Sequence, residues 1–106
     1  MPGEFFVRPV ADATCTTVAV GGDVDTYTSP ELVRALDEVV RAGASEVVVD
    51  VAEVTFIDSS GLAALIGGAK QARSHGASLK VTRADASVRR LFEIAGLNEI
   101  LGVEPD

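Results

Sequence analysis

The sequence predicts an α/β domain built on a mixed sheet of four to five strands with three or more helices. Three observations lead there. Apolar, β-branched runs, above all Val47-Val48-Val49-Asp50-Val51, alternate along the chain with segments whose apolar residues recur at helical spacing. The first two strand-like segments are close enough to pair as an antiparallel hairpin. The later ones are separated by helix-length crossovers and should run parallel. With 106 residues, no internal repeat and no Pro/Gly/Ser-rich linker, the chain reads as one domain, 1–106.

In chain order, Glu4 to Val10 and Thr14 to Val20 read as strands joined by Ala11-Asp12-Ala13, and Gly21-Gly22 breaks the pattern. Thr28-Ser29-Pro30-Glu31 predicts a helix start, with Thr28 as N-cap, Glu31 three residues later and Pro in the first turn. Leu32, Leu36, Val39 and Val40 then share one face, and Gly43 closes the helix. Val47 to Val51 is a central strand covered on at least one side. The apolar Val54-Thr55-Phe56-Ile57 leads into Asp58-Ser59-Ser60-Gly61 and a second helix over Ser60 to Ser74, ended by His75-Gly76. Ser78 to Thr82 is a strand. Asp85-Ala86-Ser87 caps a third helix with Val88, Leu91, Phe92 and Ala95 on its apolar face and Gly96 beyond its end. Ile100-Leu101 reads as a short last strand.

Composition narrows the function. Nine Lys and Arg against sixteen Asp and Glu give a net charge of −7. That argues against a nucleic-acid partner, which needs clustered cations to displace counterions. A protein partner would present a basic contact face. No apolar run approaches the roughly 20 residues of a membrane span, so membrane insertion is not expected, and without a secretory signal pattern the chain reads as cytoplasmic. Cys15 is the one cysteine, which rules out an intramolecular disulfide and a Cys-based metal cage. Inside a strand it reads as a small core residue. No metal or cofactor is expected.

The informative stretch is Asp58-Ser59-Ser60-Gly61. An Asp or Ser ahead of a helix accepts from the free first-turn amides, and the same amides and helix dipole favour an anion. A phosphoryl group on Ser59 would bring about −1.5 to −2 charges, partly offset by the helix end and opposed by Asp58. Two readings stand: a helix cap and nothing more, or a phosphorylation switch that repels a docking partner. The second helix adds a hint. One side carries Leu62, Leu65, Ile66, Ala69 and Arg73, the other Ser60, Ala63, Ala64, Gly67, Gly68 and Gln71, almost without charge. A solvated face would be charged, so something approaches it closely, either a partner or a neighbouring helix of the same domain.

Together, Val48-Val49-Asp50-Val51, Phe56-Ile57-Asp58-Ser59-Ser60-Gly61-Leu62, Val88-Arg89-Arg90-Leu91-Phe92 and Ala95-Gly96-Leu97 resemble the anti-sigma factor antagonist branch of the STAS family. Gly22-Asp23-Val24-Asp25 is similar to that family's Gly-Glu-Leu-Asp turn, with Thr28 as the Thr that follows; Asp23 stands where Glu is commoner. The resemblance implies a STAS-type domain that captures an ATP-dependent anti-sigma factor serine kinase when unphosphorylated and so frees a sigma factor. It implies phosphorylation by that kinase at Ser59 and restoration by a PP2C-type phosphatase. Asp25, Asp58, Ser60 and Gly61 would lie beside the phosphosite, and Asp23, Thr28, Ala63, Ala64, Gly67 and Gly68 are candidates for partner contact. The alternative within the family is a binding subunit of a membrane transport system or a stress-sensing scaffold.

An enzyme is not expected, and no residue is a candidate for catalysis. A serine nucleophile needs a base within hydrogen-bond reach. His75 lies at the far end of the same helix, on the order of 24 Å from Ser59, and reads as a helix C-terminal residue. Gly61, Gly67 and Gly68 do not compose a phosphate-binding loop with Lys70. Asp23-Val24-Asp25 lacks the later Gly and Glu of a calcium loop. Arg89 and Arg90 read as a solvated edge.

Overall fold

The computed structural model describes residues 4–103. Its elements follow as β1 (Phe6–Asp12), β2 (Cys15–Val24), α1 (Ser29–Arg41), β3 (Glu46–Ile57), α2 (Ser59–Ser74), β4 (Ser78–Thr82) and α3 (Ala86–Ile94). The four strands form one sheet in the order β1-β2-β3-β4. β1 and β2 pair antiparallel, while β2–β3 and β3–β4 are parallel. This is the mixed sheet expected, with four strands and three helices among the described residues.

Alternation places Val18 and Val20 of β2, Val47, Val49 and Val51 of β3, and Leu79 and Val81 of β4 on one buried face. Leu32, Leu36, Val39 and Val40 of α1 and Leu65, Ala69 and Ala72 of α2 close over it, with Phe92 of α3 fully buried in the same core. α1 lies across β1 and β2, and α2 across β3 and β4. The other sheet face, with Cys15, Thr17, Ala19, Val48, Asp50, Lys80 and Thr82, is half-buried throughout. Cys15 is therefore not a core residue: its parity puts it on the uncovered face.

The hairpin is tighter than its sequence suggests. β1 runs on through Asp12, which pairs with Cys15, and only Ala13 and Thr14 turn. Two-residue hairpin loops favour left-handed backbone, and Ala13 adopts φ 52°. The third strand is longer than expected. Val47–Val51 and Val54–Ile57 are one continuous strand whose register against β2 slips twice: Ala19 to Gly21 faces Asp50 to Glu53, and Gly22 to Asp23 faces Val54 to Phe56. Each slip is a bulge that turns side chains off strict alternation. Between Val51 and Ile57 the inward residues are then Val54 and Ile57, while Glu53, Thr55 and Phe56 face outward. Phe56, grouped by sequence with an apolar run, is 52% exposed for this reason. On β2 the slip is accommodated at Gly22, whose φ of 78° and close approach to the Glu4 carbonyl leave no room for a side chain.

No strand forms at Ile100-Leu101. The segment is turn-like, Leu101 is buried, and its carbonyl accepts from Val81 N–H at 3.0 Å, capping the edge of β4 with one bond in place of a ladder. The glycines after the helices stop them with left-handed backbone, Gly43 at φ 98°, Gly76 at 75° and Gly96 at 71°.

Candidate functional site

β2 and β3 end side by side, with Val24 opposite Ile57, and their carboxyl ends carry the informative stretch. Asp58 follows β3 with extended backbone and is held to β2 by its N–H, which donates to the Val24 carbonyl at 3.1 Å. Its carboxylate oxygen Oδ1 accepts from Ser60 N–H at 2.9 Å and Gly61 N–H at 3.2 Å. Asp58 is therefore the N-cap of α2, and the helix starts at Ser59, one residue earlier than expected.

Gly61 explains how the helix sits so close. A Cβ there would lie 2.6 Å from Ile57 Cγ1 and 2.8 Å from the Val24 carbonyl oxygen. The first turn of α2 rests directly on the ends of both strands. Ser59 is exposed at that turn, and among the described residues no hydrogen bond engages its hydroxyl. Ser60 differs: it is half-buried, and its hydroxyl lies 3.1 Å from Thr26 Oγ1 in the β2–α1 loop.

That loop is organised by Asp25. Its Oδ1 accepts from Tyr27 N–H at 2.9 Å and Thr28 N–H at 3.1 Å, and its carbonyl accepts from Ser29 N–H at 2.8 Å. Thr28 does not act as the expected side-chain cap of α1. Its hydroxyl is diverted into the loop, donating to the Asp23 carbonyl at 2.8 Å and accepting from Asp25 N–H at 2.9 Å. Asp23 in turn accepts from the Thr55 hydroxyl at 2.8 Å, so its shorter side chain still reaches across to β3. Asp23, Asp25, Thr28, Asp58, Ser59, Ser60 and Gly61 are thus assembled at one edge of the sheet by a chain of short bonds.

The weakly charged side of α2 divides. Ala64 and Gly68 are buried, and a Cβ on Gly68 would come 2.6 Å from Leu36 Cδ1 of α1. These two positions answer to the neighbouring helix. Ala63 and Gly67 are exposed, with nothing within 4 Å of a Cβ placed on Gly67. Gly67 borders a cleft between α1 and α2 lined also by Pro30, Val33, Arg34 and Gln71. Gln71 Nε2 donates to Asp37 Oδ1 at 3.0 Å across its floor. Leu62 and Ile66 are half-buried and Arg73 is exposed, so the buried stripe of α2 is rotated from the one its large residues suggest. The small residues buy the close packing of the two helices.

Sequence reading missed Thr26, Tyr27, Thr55 and the exposure of Phe56. Thr26 carried a signal, being a hydroxyl residue in the Asp25–Thr28 turn; Phe56 carried none, since only the bulge turns it outward. His75 sits at the C-cap of α2 as expected, its Nδ1 3.0 Å from the Gln71 carbonyl oxygen. Arg90 is exposed, while Arg89 is half-buried and donates to the Ala84 carbonyl at 3.3 Å. Among the described residues no group of three or more His, Cys, Asp or Glu is placed to hold a metal ion, and no helix is long and apolar enough to cross a membrane.

The family model for the Mlab, STAS domain matches residues 7–102. The chain belongs to the STAS domain family. Among curated relatives of this STAS domain, an anti-sigma-B factor antagonist of Staphylococcus epidermidis is 35% identical over 86 residues, 81% of this chain and 80% of that protein. Among solved structures, an anti-sigma factor antagonist from Mycobacterium paratuberculosis superposes with TM-score 0.87 at 24% identity, over 100% of this chain and 90% of that one. The anti-sigma factor antagonist SpoIIAA in its unphosphorylated form superposes at 0.78 with 15% identity, over 97% and 90% of the two chains. The phosphorylated form of SpoIIAA, a Bacillus cell fate determinant, superposes at 0.72 with 14% identity, over 97% and 93%. At these identities the structural likeness is one of fold.

Proposed function

We propose that this STAS domain is an anti-sigma factor antagonist: unphosphorylated, it binds an anti-sigma factor that is also a serine kinase and so releases a sigma factor, and phosphorylation at Ser59 ends the binding. The observation that carries this reading is the contrast between two adjacent serines. Ser59 offers an exposed hydroxyl free of internal bonds at the start of α2, whereas the Ser60 hydroxyl is held by Thr26. The 35% identity to an anti-sigma-B factor antagonist supplies the class of partner. The role is that of a binding switch and not of an enzyme.

The chemistry follows from the helix start. Ser59 Oγ would attack the γ-phosphorus of ATP held by the kinase, the bond to the ADP bridging oxygen would break, and the hydroxyl proton would pass to a base of the kinase. The product carries about −1.5 to −2 charges. The amides of Ser60 and Gly61 already donate to Asp58, so the phosphate gains the helix dipole but not those donors. It projects outward beside the Asp58 carboxylate, changing the surface more than the backbone. A PP2C-type phosphatase would reverse the step by directing water at phosphorus, returning the serine hydroxyl. Ala63 and Gly67, exposed on the next turns of α2, extend the contact surface towards the α1–α2 cleft.

The test is incubation with candidate anti-sigma kinases and ATP, read by mass spectrometry for wild type, Ser59→Ala and Ser60→Ala. One phosphate, lost only in Ser59→Ala, is the expected result. A phosphate lost in Ser60→Ala instead, or Ser59→Asp binding its kinase with wild-type affinity, would sink the assignment.

A further inference from the structure

Two exposed aromatic side chains stand on the segments that converge at the switch serine, the end of β3 and the β2–α1 loop. Phe56, two residues before the Asp58 cap, is 52% exposed; Tyr27, next to the Thr26 that holds Ser60, is 92% exposed. We propose that Phe56 and Tyr27 are the apolar anchors of the docking surface around Ser59, and that their receptor is a protein with an apolar pocket ringed by Lys and Arg. The proposal rests on the reading of Ser59 as the switch and adds what supplies the affinity.

Three features support it. Both side chains are presented by ordered backbone. The second bulge of β3 turns Phe56 away from the core, and bulges beside functional sites commonly re-aim a side chain. Tyr27 rides on the turn fixed by its own N–H bond to Asp25 Oδ1 at 2.9 Å. Aromatic side chains have only two torsions to order on binding and dominate interface energetics. The remaining aromatics, Phe5, Phe6 and Phe92, are half-buried or fully buried, so the two at the switch are the exceptions.

Charge selects the kind of partner. The β2–α1 loop and the ends of β2 and β3, which carry the two rings, hold Asp23, Asp25, Glu53 and Asp58 and no Lys or Arg, while the nearest cations stand on the flanking helices, Arg34 at the α1–α2 cleft and Arg90 on the α3 turn that neighbours Phe56. Such a surface steers towards a basic rim. A phosphate on Ser59 would have to be stripped of water under a partner whose cations sit at the rim and not over the serine, and beside the Asp58 carboxylate such a burial is costly. The anchors thus supply affinity and the serine removes it.

The test uses the full chain and the anti-sigma serine kinases encoded by the same genome, with binding measured by calorimetry in the absence of ATP. Tyr27→Ala and Phe56→Ala should each weaken binding by about 30-fold, the size of a hot-spot truncation. Tyr27→Phe should stay within a few-fold of wild type, and wild-type affinity should fall as salt rises. Because Tyr27 is almost fully exposed, its removal leaves the fold intact even if Phe56→Ala does not. Both Ala variants within two-fold of wild type would overturn the proposal. So would a self-association of this chain that Tyr27→Ala abolishes while kinase affinity is unchanged. If Ser59→Asp keeps wild-type affinity while Tyr27→Ala loses it, the anchors stand and the switch reading fails; the opposite pattern fails the anchors alone. No kinase binding by the wild type would overturn both.

Discussion

Single carboxylates set both of the clearer helix starts. Asp58 takes two first-turn amides of α2, and Asp85 takes Val88 N–H at 2.9 Å and the Ser87 hydroxyl at 2.8 Å at α3. The Val88 amide first, and the Ser87 hydroxyl second, hold the Asp85 carboxyl below its ordinary value. Because the folded-state value is depressed, the contribution is fully present above the unfolded carboxylate value of about 3.9 and is lost as pH falls through the folded one. Asp85→Ala should therefore lower stability at pH 7 by about 1 kcal/mol, as cap removal usually does. Denaturant titrations of the pair should converge as the pH is taken well below 4; a difference that persists undiminished would assign the effect to packing. Both Asp caps were legible because the residue type, the helix start and the following apolar spacing agree. Thr28 was misread because loop oxygens and amides, brought near only by the folded β2–α1 turn, compete for its hydroxyl.

At the scale of elements, the two adjacent glycines of α2 have opposite reasons for being there. Gly67 faces open space, and Gly68 faces Leu36. Gly67→Ala should stabilise the domain by roughly 0.5–1 kcal/mol through helix propensity. Gly68→Ala should show no such gain, because Leu36 must first move in a filled core. Thermal melts of the two variants would settle this, and an equal rise for both would mean that α1 does not pack on α2 as described. Helical periodicity foretold the buried face of α1 correctly, since its large residues are its buried ones. On α2 it failed, because the closest helix contact uses Gly and Ala, whose sequence signal is the absence of size. The four strands were legible in place and the first two as a hairpin, but a fifth expected at Ile100-Leu101 does not form, and the length of β3 was missed: its bulges break the alternation on which strand reading depends, and with it went the position of Phe56.

Seen as a whole, the molecule is a two-layer domain in which the helices shield one face of the sheet and the chemistry gathers at one edge. The mixed α/β class, the N-terminal hairpin and the family likeness were readable from patterns repeated over many residues. The bond network joining Asp23 to Thr55 and Thr26 to Ser60 was not, because it spans 32 and 34 positions of chain and exists only once the sheet is built. The same edge holds the single tyrosine of a chain that has no tryptophan. Grown on 3-fluorotyrosine, the protein would carry one fluorine nucleus, beside the proposed switch serine and almost wholly in solvent. Its NMR spectrum should be a single sharp line that shifts slightly when Ser59 takes a phosphate and broadens when a partner seats over the ring. A line indifferent to a partner known to be bound would place that partner elsewhere on the surface. One resonance would then count the free, modified and captured molecules in the same tube.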